Sequence, residues 1–523
     1  MKKIGLLFLL LTSLLSNSSI AQNFTIEESE ALEREPVEGW MKLLYLSNGN
    51  TALIHFTEEQ GIELRVYGTD RKLLLEQVAR PQYNSKGAIH LDKSKIEGVF
   101  SFGADLVSFI NIYSKEGPTL YRVIIDLNTG KLKSEEAIAT LMPEKKVSTN
   151  YFVVRKDENS DNYAVAVCNR TEFDKNKQIK ISYYNGTHKN IAESYFVAPI
   201  NDFKAFDLVD MYVFSSKKVV ALARSYGKEE DQYGLYIGAL EAGSDYFVVK
   251  EKEAKELKWI QEGALRFDAK NNNLVLLSLS AYRRGFDIYF TNIVIFNSDN
   301  LDTKFIKTLD LPDVELNYIT YGQTSKRYTG IPQNLVLNDD GTYSIVYEIK
   351  FTRSKGNIVE GTGLGGAVVS VLSPELKTLK STLIAKGHWL TGAVDDLLPY
   401  SNENKATKLF VSNHYKSIAY VDGATGKYAI YNDFMENEKK IEETGKLRNL
   451  NGVTDTDAFY INCSPDAESH KKTLLYGENA TARDHKFTMV GVSAFDKQSH
   501  TYITLKLVQS REGKKLKVVW IKM

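Results

Sequence analysis

Short runs of alternating apolar and polar residues, separated by tight-turn residues, fill most of this chain. Gly39-Trp40-Met41-Lys42-Leu43-Leu44-Tyr45-Leu46 reads as a strand entering the turn Ser47-Asn48-Gly49-Asn50. Asn-Gly favours a hairpin because both residues tolerate positive φ. Thr51 to Phe56 is the returning strand, and Glu58-Glu59-Gln60-Gly61 turns the chain again. Ile62 to Tyr67 alternates as a half-buried strand should, and Lys72 to Val78 follows the turn Gly68-Thr69-Asp70-Arg71. Four short strands joined by tight turns predict an antiparallel meander.

The scheme recurs. Ile96 to Ala139 and Tyr151 to Val197 repeat it, the second through Tyr163 to Cys168 and Ile179 to Tyr184. Further units are expected over residues 205–258, 262–310, 328–386, 395–433 and 455–523. A spacing of about 60 residues gives seven or eight units. A row of meanders must hide its edges and its apolar faces, and radial closure does both. The expected fold is all-β, a β-propeller of seven or eight four-stranded antiparallel blades over residues 39–523. The last strand, Leu516 to Ile521, is expected to complete a blade begun near the amino terminus. Tandem β-sandwiches are the alternative. Glu251 to Ile260 and Phe434 to Glu443 are the two stretches that invite a helix, and their charge marks them as surface excursions.

Residues 1–21 follow a different pattern. Lys2 and Lys3 precede the apolar run Ile4 to Leu15, and Ser19-Ile20-Ala21 places small residues at a cleavage site. This is the form of a secretory signal peptide, with cleavage between Ala21 and Gln22. The expected location is periplasmic or secreted, with 22–38 as an N-terminal segment ahead of the propeller. No later stretch is apolar enough to span a bilayer as a helix.

Composition narrows the picture further. Tyr (30) and Phe (24) are abundant and Pro (10) is scarce, which suits pleated sheets. Sixty-six basic residues balance 66 acidic ones, so nucleic acid is not an expected partner. The two cysteines, Cys168 and Cys463, are too few for a disulfide framework, and unpaired buried thiols are the favoured reading.

The sixth unit carries the most recognisable residues. Gly330-Ile331-Pro332-Gln333-Asn334-Leu335-Val336-Leu337-Asn338-Asp339-Asp340-Gly341-Thr342-Tyr343-Ser344-Ile345-Val346-Tyr347-Glu348 runs from a strand through an Asp-Gly turn into an apolar strand ending in Glu. A variable loop and the strand Ala367 to Leu372 follow. Over residues 330–386 this resembles exported, largely uncharacterised bacterial β-propeller-like proteins. The resemblance implies a fold and an extracytoplasmic setting, and no activity.

No motif supplies chemistry. Gly361-Thr362-Gly363-Leu364-Gly365-Gly366 has the letters of a dinucleotide loop, but a polar segment precedes it and a strand follows. It reads as a flexible inter-strand loop. Asp157-Glu158-Asn159-Ser160-Asp161-Asn162 starts like a calcium loop but has Asn162 at the glycine position and Cys168 where Glu belongs. A solvated turn is the expectation, so no cofactor is expected, with calcium kept as the alternative. The histidines (His55, His90, His188, His388, His414, His470, His485, His500) form no local metal-ligand pair, although the last four fall in the last two units. The run Tyr502 to Met523 reads as a final structural strand rather than a sorting signal. The catalytic residues are unknown from sequence. The expected function is a non-catalytic propeller binding a glycan, peptide or envelope protein. The alternatives are a glycan-active hydrolase or lyase with channel carboxylates, and a structural part of an envelope assembly.

Overall fold

The first meander folds as its pattern predicts, into antiparallel strands Trp40–Tyr45, Thr51–Phe56, Ile62–Tyr67 and Leu73–Ala79. The structure, a computed structural model, describes residues 24–523 except 58–60, 83–93, 143–149, 200–202, 228–232, 253–256, 258, 282–288, 320–325, 357, 393–403 and 512. The signal peptide, its Ala21–Gln22 cleavage site and His90 lie outside the described residues.

Eight antiparallel sheets follow one another. Blade 1 spans 40–79, blade 2 94–140, blade 3 151–195, blade 4 205–251, blade 5 260–309, blade 6 331–391, blade 7 419–474 and blade 8 485–522. In every blade the first strand in sequence is the innermost of the four that form the meander.

The hydrophobic cores close the sheets into a ring. Consecutive blades share one core each, such as Leu64 and Ile54 with Val123 and Ile110 between blades 1 and 2. The series runs on through blades 3 to 8. An eighth core joins blade 8 to blade 1, packing Leu505 and Trp520 on Met41, Leu53 and Tyr67. Eight sheets with eight shared cores form a closed eight-bladed β-propeller. Both apolar faces of every sheet are thus withdrawn from water, which tandem sandwiches would not achieve in this order.

The seam differs from the sequence expectation. The last strand, Gly513–Lys522, does share a blade with the amino terminus, as expected, but the amino-terminal strand is not the one at Trp40. Instead Thr25–Glu28, within the 22–38 segment set apart from the propeller, pairs with Val519–Lys522 as the outer strand of blade 8. The TIEE strand is too short and too polar to announce itself. Glu28 is gripped there by Lys506 at 2.5 Å and Lys517 at 2.9 Å.

Two unit boundaries also move. Blade 7 comprises Ala419–Gly423, Gly426–Asp433, Asp457–Asn462 and Thr473–Leu474, so the unit expected at 395–433 holds only its first half. Asn437–Thr444, overlapping the charged stretch Phe434 to Glu443, is a helix between the second and third strands. Its Ile441 packs into the core of blades 5 and 6. In the other charged stretch, Val248–Glu251 is the outer strand of blade 4 and Ile260 opens blade 5.

Candidate functional site

A propeller's hub is walled by the free edges of its inner strands. Here a connecting segment pairs with those edges. Beyond blade 6 in sequence, the Asn404 carbonyl accepts from the backbone N–H of Val99 in blade 2 at 2.8 Å. Thr407–Lys408 pairs with Trp40 and Met41 in blade 1. The Thr407 hydroxyl donates to the Gly491 carbonyl in blade 8 at 2.5 Å. Lys405 meets Glu97 of blade 2 at 2.9 Å, and Ala406, Leu409 and Tyr415 enter the cores of blades 1, 2 and 8. The segment 404–416 therefore runs along the inner edges of the neighbouring blades 2, 1 and 8. It continues through Val411, Ser412 and Ser417, non-glycine residues at φ of 40°, 59° and 84°. A β-branched residue at positive φ is strained, and strain of this kind persists only where the surroundings hold it.

Four inner strands carry a bulge near their start, at Glu97, Val209, Gln261 and Gln333. Bulges re-aim side chains, and charged groups gather at this level. Asp210 accepts from the Arg155 guanidinium at 2.9 Å and from the backbone N–H of Leu265 at 2.9 Å, stitching blades 3, 4 and 5 together. Asp207 pairs with Arg170, with Arg224 at 3.8 Å. Glu348 and Lys386, both fully buried, form an ion pair in blade 6, and the Ser417 hydroxyl donates to Glu348 at 3.4 Å. Each of these hub carboxylates already faces a cation.

The histidines disperse. His388 is buried, with Nε2 on the Asn432 carbonyl at 2.9 Å and Nδ1 accepting from the Ser417 backbone N–H. Burial, and then the charge of Lys386, pushes its pKa well down. His414 is buried with neither ring nitrogen hydrogen-bonded, and burial with the nearby Lys416 lowers it to about 4. Lys416, held by the Trp389 carbonyl at 2.7 Å, is pushed down by burial to about 8. His485 pairs with Asp457 at 3.1 Å, His470 bonds the Asn462 carbonyl and His500 approaches the Asp422 carbonyl. In blade 1, His55 bridges Glu63 and the Glu38 carbonyl. His188 sits beside Tyr163 at the interface of blades 2 and 3. Among the described residues no group of three or more potential ligands gathers around a metal position.

At Asp157–Asn162 the loop oxygens turn to a built-in cation. Lys156 Nζ lies 3.1 Å from Asp161 and 2.6 Å from the Ser160 carbonyl. Cys168 and Cys463 are free and buried in separate cores, of blades 3 and 4 and of blades 6 and 7. Burial pushes both thiols up to about 12.

The glycine run is not a loop. Gly361 to Gly366 lies inside the strand Ile358–Leu372, paired with Tyr343–Lys355 on one side and His388–Thr391 on the other. Together these form an arm that rises beyond blade 6 on the face where the inner strands begin. The glycines are needed for close approach: a Cβ on Gly361 would strike the indole of Trp389, and one on Gly366 the Tyr318 hydroxyl. Directly opposed residues share a face, so Phe351, Gly363 and Trp389 form one row, and Arg353, Gly361 and Thr391 the next. Phe351 is 41% exposed, and Arg353 pairs with Glu360 at 2.9 Å in the open. Asn413 bonds both the N–H and the carbonyl of Thr391, docking the hub segment, with its exposed Phe410 and Val411, onto the arm. On the opposite face, a cleft of about 370 Å³ between blades 1 and 2 is lined by Leu46, Asn48, Asn50, Leu74 and Asn128.

The inner-edge pairing of 404–416 and the aromatic row were missed in the sequence because both join distant segments. The signal for the row was the glycine run itself, followed some twenty residues later by Trp389.

No family model and no curated protein sequence matches this chain. Solved structures align with it at low identity. A eukaryotic initiation factor does so at 9% identity over 96% of this chain and 99% of its own, with a TM-score of 0.41. A prolyl endopeptidase aligns at 8% identity over 91% of this chain and 55% of its own, with a TM-score of 0.41. Prolyl oligopeptidase B from Galerina marginata aligns at 9% over 91% and 56%, with a TM-score of 0.40. The chain thus spans about half the length of these peptidases. At such scores the fold rests on the sheet order and cores above, and nothing about function follows from these likenesses. Among the described residues no helix is long and apolar enough to cross a membrane.

Proposed function

We propose that this protein is exported, is cleaved between Ala21 and Gln22, and acts in the periplasm or outside the cell as a non-catalytic binding propeller. Its ligand or protein partner meets the face on which the arm of blade 6 stands. The observation that carries this reading is the state of the hub. A glycosidase keeps one carboxyl protonated and a second free for base or nucleophile work. Here Glu97, Asp207, Asp210 and Glu348 each face a lysine or arginine, and the segment 404–416 covers the inner edges of blades 2, 1 and 8.

The test is a screen of the mature protein against soluble oligosaccharides and peptides, with and without calcium, read for both binding and bond cleavage. Binding without turnover is expected. Turnover abolished by Asp207→Asn or Asp210→Asn would overturn the reading in favour of an enzyme. Recovery of one envelope protein and no small ligand would favour the assembly role. Intact-mass analysis of the exported protein is expected to show a chain starting at Gln22.

A further inference from the structure

The outer strand of blade 7, Thr473–Leu474, is the shortest outer strand of the eight blades and pairs through two residues with Phe459 and Tyr460. Just ahead of it Lys472 turns inward, its side chain 9% exposed and its Nζ 3.9 Å over the Phe459 ring. That amine donates to Asp433 Oδ2 at 2.7 Å and to the Phe434 carbonyl at 2.8 Å.

Asp433 ends the second strand of the same blade and is buried. Its other oxygen, Oδ1, accepts from Asn437 Nδ2 at 2.6 Å, where the helix Asn437–Thr444 begins. The Asn437 amide is buried too and cannot turn. Its Oδ1 accepts from the Arg448 backbone N–H at 2.9 Å, and its Nδ2 also donates to the Arg448 carbonyl at 3.0 Å.

One carboxyl group thus holds a primary amine on one oxygen and a carboxamide nitrogen on the other. Exchange of the amide between those two nitrogens needs this arrangement. In its tetrahedral intermediate both nitrogens sit on one carbon, spaced much like the two oxygens of a carboxylate, which can relay protons between them. Burial pushes the Asp433 carboxyl pKa up, even against the charge of Lys472. A neutral acid beside a neutral amine is the form in which lysine is a nucleophile. The Arg448 N–H already lies on the Asn437 oxygen, where negative charge develops during attack.

We infer that Lys472 and Asn437 join in an intramolecular isopeptide bond that pins the outer strand of blade 7 to its helix. Lys472 Nζ attacks Asn437 Cγ and gives a proton to one oxygen of Asp433, while the other oxygen delivers a proton to Nδ2. The Cγ–Nδ2 bond breaks, ammonia leaves, and Asp433 ends as it began. No co-reactant enters, and the product is a neutral amide, which suits a dry site better than an ammonium. The bond does not depend on what the propeller binds.

The test is a tryptic digest of the folded mature chain, read by tandem mass spectrometry. A branched peptide joining the Asn437 and Lys472 segments, lighter than their sum by one ammonia, is expected. Locating the branch separates it from ammonia lost by an amino-terminal Gln22. Lys472→Arg, which keeps the charge, and Asp433→Asn, which removes the relay, are both expected to abolish the branch. Separate linear peptides from the wild-type chain, cleaved after Lys472, would overturn the inference and leave an ion pair. A branch from Lys472 to Asp433, with water lost, would overturn Asn437 as the acyl donor. A Lys472–Asn437 branch that survives Asp433→Asn would overturn the proton relay.

Discussion

The indole N–H of Trp520, in the last strand of blade 8, donates to the Thr51 hydroxyl of blade 1 at 2.8 Å. Both residues are buried, Tyr67 packs edge-on against the indole and Arg71 lies 4.9 Å over it. This one bond joins residues 469 positions apart in sequence, across the seam on which closure of the ring depends.

Trp520→Phe keeps most of the apolar body but leaves the buried Thr51 hydroxyl without its donor. A loss of about 2 kcal/mol is expected from the missing bond and the small cavity, measured by urea unfolding. Starting the chain at Ser29 removes the outer strand of blade 8. That variant is expected to melt earlier and to be cut first by protease within 513–522.

Lys405 and Glu97 should behave as a coupled pair. The Glu97 side chain is 4% exposed, so Lys405→Met strands a nearly buried carboxylate. A cost of about 2 kcal/mol is expected, below that of a fully buried pair because Lys405 is one-third exposed. Glu97→Gln in the same chain should recover much of it. Additive losses in the double-mutant cycle would mean that the segment 404–416 is not held on blade 2 by this pair.

Acid should weaken the fold through His414. Burial, then Lys416, lowers its folded value to about 4 from an unfolded 6.5. Protons therefore bind the unfolded chain first, so stability is full above about pH 6.5 and falls as pH drops towards about 4. His388 shifts in the same direction. His414→Phe is expected to flatten this part of the curve. Unfolding midpoints at about pH 7 and about pH 4.5 decide it, and an unchanged slope would exclude His414 as a source.

Neither thiol should react in the native protein. Cys168 and Cys463 are buried in separate cores and raised to about 12, so thiolate is scarce and access blocked. Ellman's reagent is expected to find no fast thiol in the folded chain and two after denaturation.

Much of the architecture could be read from the chain because strand alternation and turn chemistry are local. Blade 1 appears at its expected strands, and the Asp340-Gly341 turn of blade 6 lies between strands as anticipated. The errors share a cause. The strand Thr25–Glu28 has no apolar alternation of its own and exists only because Val519–Lys522 offers an edge. The run Gly361 to Gly366 looked like a loop because glycine lacks strand propensity, and only Trp389, brought alongside, explains it. The segment 404–416 fell within the unit expected at 395–433, yet it forms no blade of its own, and its Ala406, Leu409 and Tyr415 enter the cores of blades 1, 2 and 8.

What the sequence determined by itself is the class of unit: four short strands and a tight turn, repeated, with balanced charge and two isolated cysteines. These follow from nearest-neighbour preferences and composition. The tertiary structure alone decided the number of blades, the partner of the terminal strand, the course of 404–416 along the inner edges and the row of Phe351 and Trp389. Each of those depends on residues far apart in sequence meeting across a closed ring, and no local pattern encodes which distant edge or cavity a segment will fill.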